Sequence, residues 1–182
     1  MDSIDNTLNE LANLVGKSHV VKDLETLTFY STDIFATANE LAVAIVRPGN
    51  ADELIKVSQI CIKNEVPLIV RGGGASYTGG YLPATKNTVM IDTQRLTNIE
   101  IHAEDMFVTV EPGVTWLELY EALKPLGLRT PFWGPFSGRV ATVGGSMSYH
   151  AVSHATNNSL SADSLAGMQI VIGNGDVIET GS

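Results

Sequence analysis

The sequence predicts an α+β fold made of two successive subdomains, the second of them incomplete. Three observations carry that expectation. Apolar runs and amphipathic segments follow one another as strand, helix, strand, glycine loop, three strands and helix. A second glycine-rich stretch then begins afresh at Ala141. The closing strand pair around Asn174-Gly175 has no further sheet to join before Ser182, so the chain reads as a piece of a longer polypeptide. Its 182 residues suit one domain or one and a half.

Residues 4–16 (IDNTLNELANLVG) have the pattern of a short amphipathic helix ended by Gly16. Residues 17–40 are mixed and polar, and are expected to form an arm over the domain. The domain body is expected from residue 41, with a first subdomain over about 41–125 and the start of a second over about 126–182. Leu41–Val46 is a continuous apolar run closed by Arg47-Pro48-Gly49-Asn50, which predicts a buried strand and a turn. Asn50 can cap the helix that follows, where Asp52 and Glu53 favour the positive end. Leu54, Val57, Ile60 and Cys61 recur at helical spacing and mark its buried face. Val66–Val70 is a second buried strand and runs straight into RGGGASYTGG.

Thr88–Ile91, Ile99–His102 and Met106–Val110 read as short strands, the last ended by Glu111-Pro112-Gly113. Thr115 and Glu118 form the T-x-x-E capping box of a helix, WLELYEALKPLG. Trp116, Leu119, Tyr120 and Leu123 are its expected buried stripe, and Gly127 its C-cap. The tract 130–137 is irregular. Residues 141–161 lack a convincing helical pattern. Asn174-Gly175 between apolar segments is a two-residue hairpin signal.

Composition excludes several classes. With 44% hydrophobic residues the chain can build a core, so a mostly disordered chain is excluded. Charged residues are 17%, below the ~25% of ordinary domains, which suggests much covered surface. Eleven basic against 20 acidic residues give a net charge of −9, without a Lys/Arg cluster. Binding to nucleic acid or insertion into an anionic membrane is not expected. The single Cys61 excludes an internal disulfide or a cysteine-based zinc site, and its apolar helix face reads as inert core. The acidic, polar start resembles no targeting peptide, and no apolar run approaches the ~18 residues of a membrane helix. A cytoplasmic protein is the default.

The glycine loop concentrates the chemistry. Three glycines directly after a buried strand mark positive φ or close approach of the backbone to something else. Successive N–H groups in such a turn can form an anion-binding nest. Ser76, Tyr77 and Thr78 add hydroxyls. A valine at Gly73 is expected to block an anion while sparing the fold. The loop is not a P-loop, since no Gly-Lys-Ser/Thr follows, and Tyr77 stands where G-x-G-x-x-G requires its third glycine.

VPLIVRGGGASYTGG resembles the diphosphate-binding loop of the FAD-linked oxidases of the vanillyl-alcohol oxidase / p-cresol methylhydroxylase superfamily. MIDTQRLTNIEIHAEDMFVTVEPGVTWLELYEAL is similar to the family's stretch leading into E-P-G-V, and ATVGGSMSYHA to its second flavin-contacting motif. The likeness covers roughly residues 40–180. It implies a PCMH-type FAD-binding domain with FAD between two α+β subdomains. By position, the diphosphate contacts fall on Gly72, Gly73, Gly74, Ala75 and Ser76, with Tyr77, Gly79 and Gly80 nearby. Arg71 is either structural or turned to the phosphates. In the second motif Thr142, Gly145, Ser148 and Ala151 would line the flavin or diphosphate, with Ser137 just upstream, and Gly144 would permit close packing. Some relatives attach flavin through a histidine where this chain has Ala75, so FAD at this loop is expected to be non-covalent. Tyr149 and His150 stand where the family has small or amide groups.

The resemblance implies a FAD-dependent oxidoreductase, a dehydrogenase or oxidase of a 2-hydroxy acid or alcohol. Substrate would be held mainly by a C-terminal domain beyond Ser182, so no catalytic residue is assigned here. An enolpyruvoyl-nucleotide-sugar reductase-like flavoenzyme and a non-catalytic nucleotide-binding module are the alternatives. His150 and His154 share helical spacing but lack a carboxylate partner, so no metal site is expected. Trp116 reads as core, while Trp133 is either packing or near the ring.

Overall fold

The computed structural model describes residues 3–131, 137–149 and 164–181. The elements are α1 (Ser3–Val15), β1 (Val20–Val21), α2 (Leu24–Tyr30), β2 (Ala44–Val46), α3 (Ala51–Lys63), β3 (Leu68–Arg71), β4 (Val89–Asp92), β5 (Ile99–His102), β6 (Phe107–Val110), α4 (Trp116–Leu123), α5 (Val143–Ser148), β7 (Gly167–Val171) and β8 (Val177–Gly181).

Four strands form one sheet in the order β1-β2-β4-β3. β4 pairs in parallel with both β2 and β3, and β1 closes one edge antiparallel. Side chains alternate across a strand, so the register sorts the core into two layers. Ala44, Val46, Val89 and Ile91 face α1 and α3, meeting Leu8, Leu11, Val57 and Cys61. Ile45 and Met90 face the other way, against Leu27, Tyr30 and Ala42. Burial on both faces explains the apolar runs of β2 and β4. β3, expected to be buried, is instead an edge strand with Val70 54% exposed. Asn50 caps α3 by accepting from Glu53 N–H, as its position predicts. Burial pushes the Cys61 thiol up to about 12, so it carries no thiolate at neutral pH.

Residues 17–40, expected as an arm over the domain, carry regular elements. They supply the edge strand β1, and α2 covers the second face of the sheet through Leu27 and Tyr30. Asp23 caps α2 by accepting from Thr26 N–H. A cap of this kind is a local signal, but seven helical residues are too few to show a period.

A second core gathers Val114, Trp116, Leu119, Leu123, Ala141 and Val143, with Ile99, Ile101, Val108 and Val110 of the β5–β6 hairpin against them. It draws on residues before and after 125. The capping box at Thr115 and Glu118 is present. Tyr120, expected in the buried stripe, is 41% exposed instead. It stands just off the line of Trp116, Leu119 and Leu123, with the Lys124 ammonium 5.6 Å over its ring. A short 3-10 turn, Lys124–Leu126, extends α4 and ends at Gly127 with φ 69°. Residues 143–148 are helical, contrary to the loop expected there. Thr142 caps this turn by accepting from Gly145 N–H, and the two glycines had hidden the pattern. β7 and β8 form the hairpin signalled by Asn174-Gly175, and Gln59 Nε2 of α3 donates to the Gly175 carbonyl at 3.1 Å.

Candidate functional site

β3 delivers Arg71 and the glycine loop at the edge of the sheet. Within the loop only Gly74 (φ 70°) and Gly79 (φ 73°) are left-handed. Gly72 and Gly73 are needed for a different reason. A Cβ on Gly72 would overlap Thr142 Oγ1, and one on Gly73 would overlap the Val140 carbonyl oxygen. The two glycine motifs therefore lie backbone to backbone. Gly113, of the E-P-G-V stretch, and Gly144 serve packing in the same way. The first abuts the Thr93 carbonyl and the second abuts Pro112. Close packing at Gly144 is what the sequence suggested.

The N–H groups of Gly73, Gly74, Ala75, Ser76 and Tyr77 donate to no acceptor among the described residues. Such a run of free donors is open to water or to an anion, and any of them covered by a ligand would need that ligand as its acceptor. Gly72, Gly73, Gly74, Ala75 and Ser76 are half-buried, whereas Tyr77 and Gly80 are exposed. Ala75 packs against the second core, and Ser76 Oγ and Thr78 Oγ1 share a hydrogen bond of 3.1 Å.

Arg71 lies beneath this loop and is 5% exposed. Its guanidinium sits 4.2 Å over the Tyr30 ring, 5.2 Å over Tyr81 and 5.7 Å over Phe29. A Cβ on Gly74 would overlap it. Its Nε is buried without a hydrogen-bond partner, and among the described residues it forms no salt bridge. The neighbouring buried carboxylate, Asp92, is already committed. It accepts from Arg47 Nε at 3.0 Å and from the Tyr30 hydroxyl at 2.9 Å. A buried cation held by aromatic rings and lacking a carboxylate calls for an anion close by.

Two residues that sequence reasoning missed hold the loop. Asp33 Oδ2 accepts from Gly79 N–H at 2.7 Å. The Tyr81 hydroxyl shares its one proton between the carbonyls of Gly74 (3.1 Å) and Thr32 (3.3 Å). Burial pushes the Tyr81 phenol up, and the nearby Arg71 cation works against that shift. Nothing local in the sequence signals a bond that spans 46 positions.

On the second motif, Thr142 is buried and its Oγ1 accepts from Gly145 N–H at 3.2 Å. Ser148 Oγ donates to the Gly144 carbonyl at 2.9 Å. Ser137 is exposed, and its carbonyl accepts from Val140 and Ala141 N–H, each at 2.8 Å. Trp116 is core, as expected, with Nε1 donating to Ser146 Oγ at 2.8 Å. Ala151, Trp133, His150 and His154 lie outside the described residues. Among the described residues no group of three or more His, Cys, Asp or Glu could hold a metal ion. No helix among them is long and apolar enough to cross a membrane.

The family model described as an FAD binding domain matches residues 42–181. The chain belongs to this family. Its donor set fits the cofactor, because a diphosphate is an anion that can take several backbone N–H bonds beside a buried cation. As an FAD binding domain it is 30% identical over 153 residues to the glycolate oxidase subunit GlcD of Bacillus subtilis, covering 84% of this chain and 32% of that protein. It is 35% identical over 150 residues to the mitochondrial D-lactate dehydrogenase [cytochrome] of Arabidopsis thaliana, covering 81% of this chain and 26% of that one. The chain thus spans about a third of the length of these curated relatives, or less. Among solved structures, p-cresol methylhydroxylase with substrate bound superposes with a TM-score of 0.86 at 22% identity, over 98% of this chain and 35% of its own. An alkyldihydroxyacetonephosphate synthase gives a TM-score of 0.87 at 19% identity, over 97% and 35%. At such identities these likenesses speak for the fold, a PCMH-type α+β architecture.

Proposed function

We propose that this FAD binding domain serves a flavin-dependent oxidoreductase that oxidises a small 2-hydroxy acid or a related alcohol. The observation that carries the cofactor half is the row of unpartnered N–H groups from Gly73 to Tyr77 over the buried Arg71 guanidinium. The relatives named for glycolate and D-lactate favour the substrate class. When bound, the flavin supplies the redox chemistry, accepting a hydride equivalent from substrate.

The chain's own residues bind and orient. Gly73, Gly74, Ala75, Ser76 and Tyr77 would hold the diphosphate by backbone N–H groups, with Gly79 and Gly80 at the far end of the loop. Gly72 lets Thr142 approach. Arg71 supports the anion from beneath by charge. Thr142, Gly145, Ser148, Ser137 and Ala151 would border the flavin side. Since Gly145 N–H and Ser148 Oγ–H are spent within α5, contacts there would use a bare Cα face and an acceptor lone pair. Ala75 offers no nucleophile, so attachment of flavin at that position is chemically closed, and FAD is expected to be held at this loop without a covalent bond. Substrate would be bound mainly by chain beyond these residues, in a cytoplasmic protein.

Purification of the full-length protein, extraction of its cofactor and chromatography test the first half; FAD is expected, and FMN or no flavin after reconstitution overturns it. Bleaching of the flavin band by 2-hydroxy acids, but not by phenols, tests the second.

A further inference from the structure

The five unpartnered donors sit in a loop in which five of ten residues are glycine. Such a loop has many conformations, and fixing each residue costs conformational entropy. A ligand bears that cost unless the protein has fixed the loop beforehand. The structure shows where it is fixed. Of the two left-handed residues, Gly79 is bonded directly to a foreign segment, and Gly74 is linked to it only through Tyr81. The Gly74 carbonyl takes the Tyr81 hydroxyl, which also reaches Thr32. Gly79 N–H goes to Asp33.

Asp33 is itself rigid. Its Oδ1 accepts from Phe35 N–H (2.7 Å) and Ala36 N–H (2.8 Å), while its own N–H donates to the Ala36 carbonyl at 2.9 Å. Ala38 N–H closes the segment onto the Ser31 carbonyl at 2.8 Å. A carboxylate next to an anion site would ordinarily repel the anion. Here three backbone N–H groups draw on its charge. They outweigh the upward push of burial and hold Asp33 below the usual carboxylate range.

We propose that Asp33 is a positioning residue for the cofactor loop: by clamping Gly79 it presets the Gly73–Tyr77 donors for a diphosphate that it does not touch. This inference rests on the FAD reading above. It assigns a function to residues 31–38, a segment that lies before the 42–181 match.

The test uses the full chain and two variants, Asp33→Asn and Asp33→Ala, with FAD and FMN as probes and circular dichroism as the check on folding. Asn keeps one carbonyl oxygen and can serve one of the two bond sets; Ala serves neither. The expected result for Asp33→Ala is a rise in the FAD dissociation constant of about tenfold, the size expected for losing a charged hydrogen bond. Asp33→Asn should lie between it and the unaltered chain. FMN, which lacks the diphosphate, should lose distinctly less, so the preference for FAD narrows. Equal losses for FAD and FMN would mean a general stability effect and would overturn the proposal. So would an unchanged FAD affinity in Asp33→Ala while the unaltered chain binds FAD. Should the unaltered chain fail to bind FAD, the FAD reading falls and this inference with it. If both variants unfold, hydrogen exchange at the Gly79 amide of the unaltered chain decides: protection is expected, and exchange at the rate of a free amide overturns the clamp.

Discussion

The two glycine motifs meet in space yet spend their backbone donors in opposite ways. In the second motif the N–H groups of Gly144, Gly145 and Tyr149 all have acceptors within the protein. Gly145 donates to Thr142 Oγ1, Gly144 to the Pro112 carbonyl and Tyr149 to the Gly145 carbonyl. In the first motif the N–H groups from Gly73 to Tyr77 are held back, while the loop is tied through the Gly74 carbonyl and through the N–H groups of Thr78 and Gly79. A cluster of glycines in a sequence does not distinguish these uses. One lets backbones touch, another permits positive φ, and a third leaves room for a ligand. The difference supports the proposal that the first loop takes the anion and the second forms its wall.

The largest effect should come from Gly73→Val, which strikes the line where the two motifs touch. The sequence suggested that valine there would block the cofactor and spare the apo fold. The structure reverses the second half of that expectation. Gly73 does not have positive φ, and the added side chain runs into the Val140 carbonyl, which is backbone and cannot swing away. Overpacking alone costs up to about 3 kcal/mol. A loss of at least that order is expected in chemical denaturation, together with loss of FAD binding. If Gly73→Val binds no FAD but keeps full apo stability, the motifs are not in contact and the comparison above is broken.

Arg71→Met should separate binding from stability. Methionine keeps an unbranched stem inside the ring of Tyr30, Tyr81 and Phe29 but removes the charge. Cation–π contacts stabilise by about 0.5–2 kcal/mol. Replacing buried ionic groups by apolar side chains is often neutral or stabilising by about 1–4 kcal/mol. Since Arg71 lacks a carboxylate partner, the apo protein should be as stable as the original or more so. FAD affinity should fall about tenfold, the scale of one charge-assisted contact. Unchanged affinity with reduced stability would reassign Arg71 to a purely structural role.

What the sequence disclosed follows from range. The Asn50 cap, the Thr115–Glu118 box, the Asn174-Gly175 turn and the strands β2 and β4 are set within a few residues, and each is where local chemistry puts it. That β3 lies at the sheet edge with Val70 exposed is not local, and its apolar run does not show it. The parallel pairing of β4 between β2 and β3 is non-local, as are the contacts of Gly72 with Thr142 and of Gly79 with Asp33. No periodicity carries them. The segment holding Tyr30 and Asp33 reads as an arm because it has neither a long apolar run nor a glycine cluster. Its Asp23 cap was the one local hint. The cofactor itself was legible only through the resemblance of three ordered motifs. The sequence left open whether Arg71 is structural or phosphate-facing, and its cage of aromatic rings could not be read from it.

The smallest expected effect is at Gly127, and it calibrates the others. Gly127 ends the turn after α4 with φ 69°, and a Cβ there would meet no atom within 4 Å. Alanine at this position therefore suffers only the left-handed backbone penalty, about 1 kcal/mol, without a steric clash. Gly73 is the reverse case, a clash without positive φ. The pair thus separates the two reasons for which a chain retains glycine. For a domain of this size 1 kcal/mol lowers the melting temperature by roughly 2–4 °C. Gly127 belongs to the second core's outer helix rather than to either glycine motif, so FAD affinity should stay within about twofold, as for independent sites. Differential scanning calorimetry and flavin titration on the same preparation check both numbers. An affinity loss at Gly127→Ala matching that at Arg71→Met would show that FAD binding follows global stability, and the contrast between a donor loop and its wall would lose its meaning.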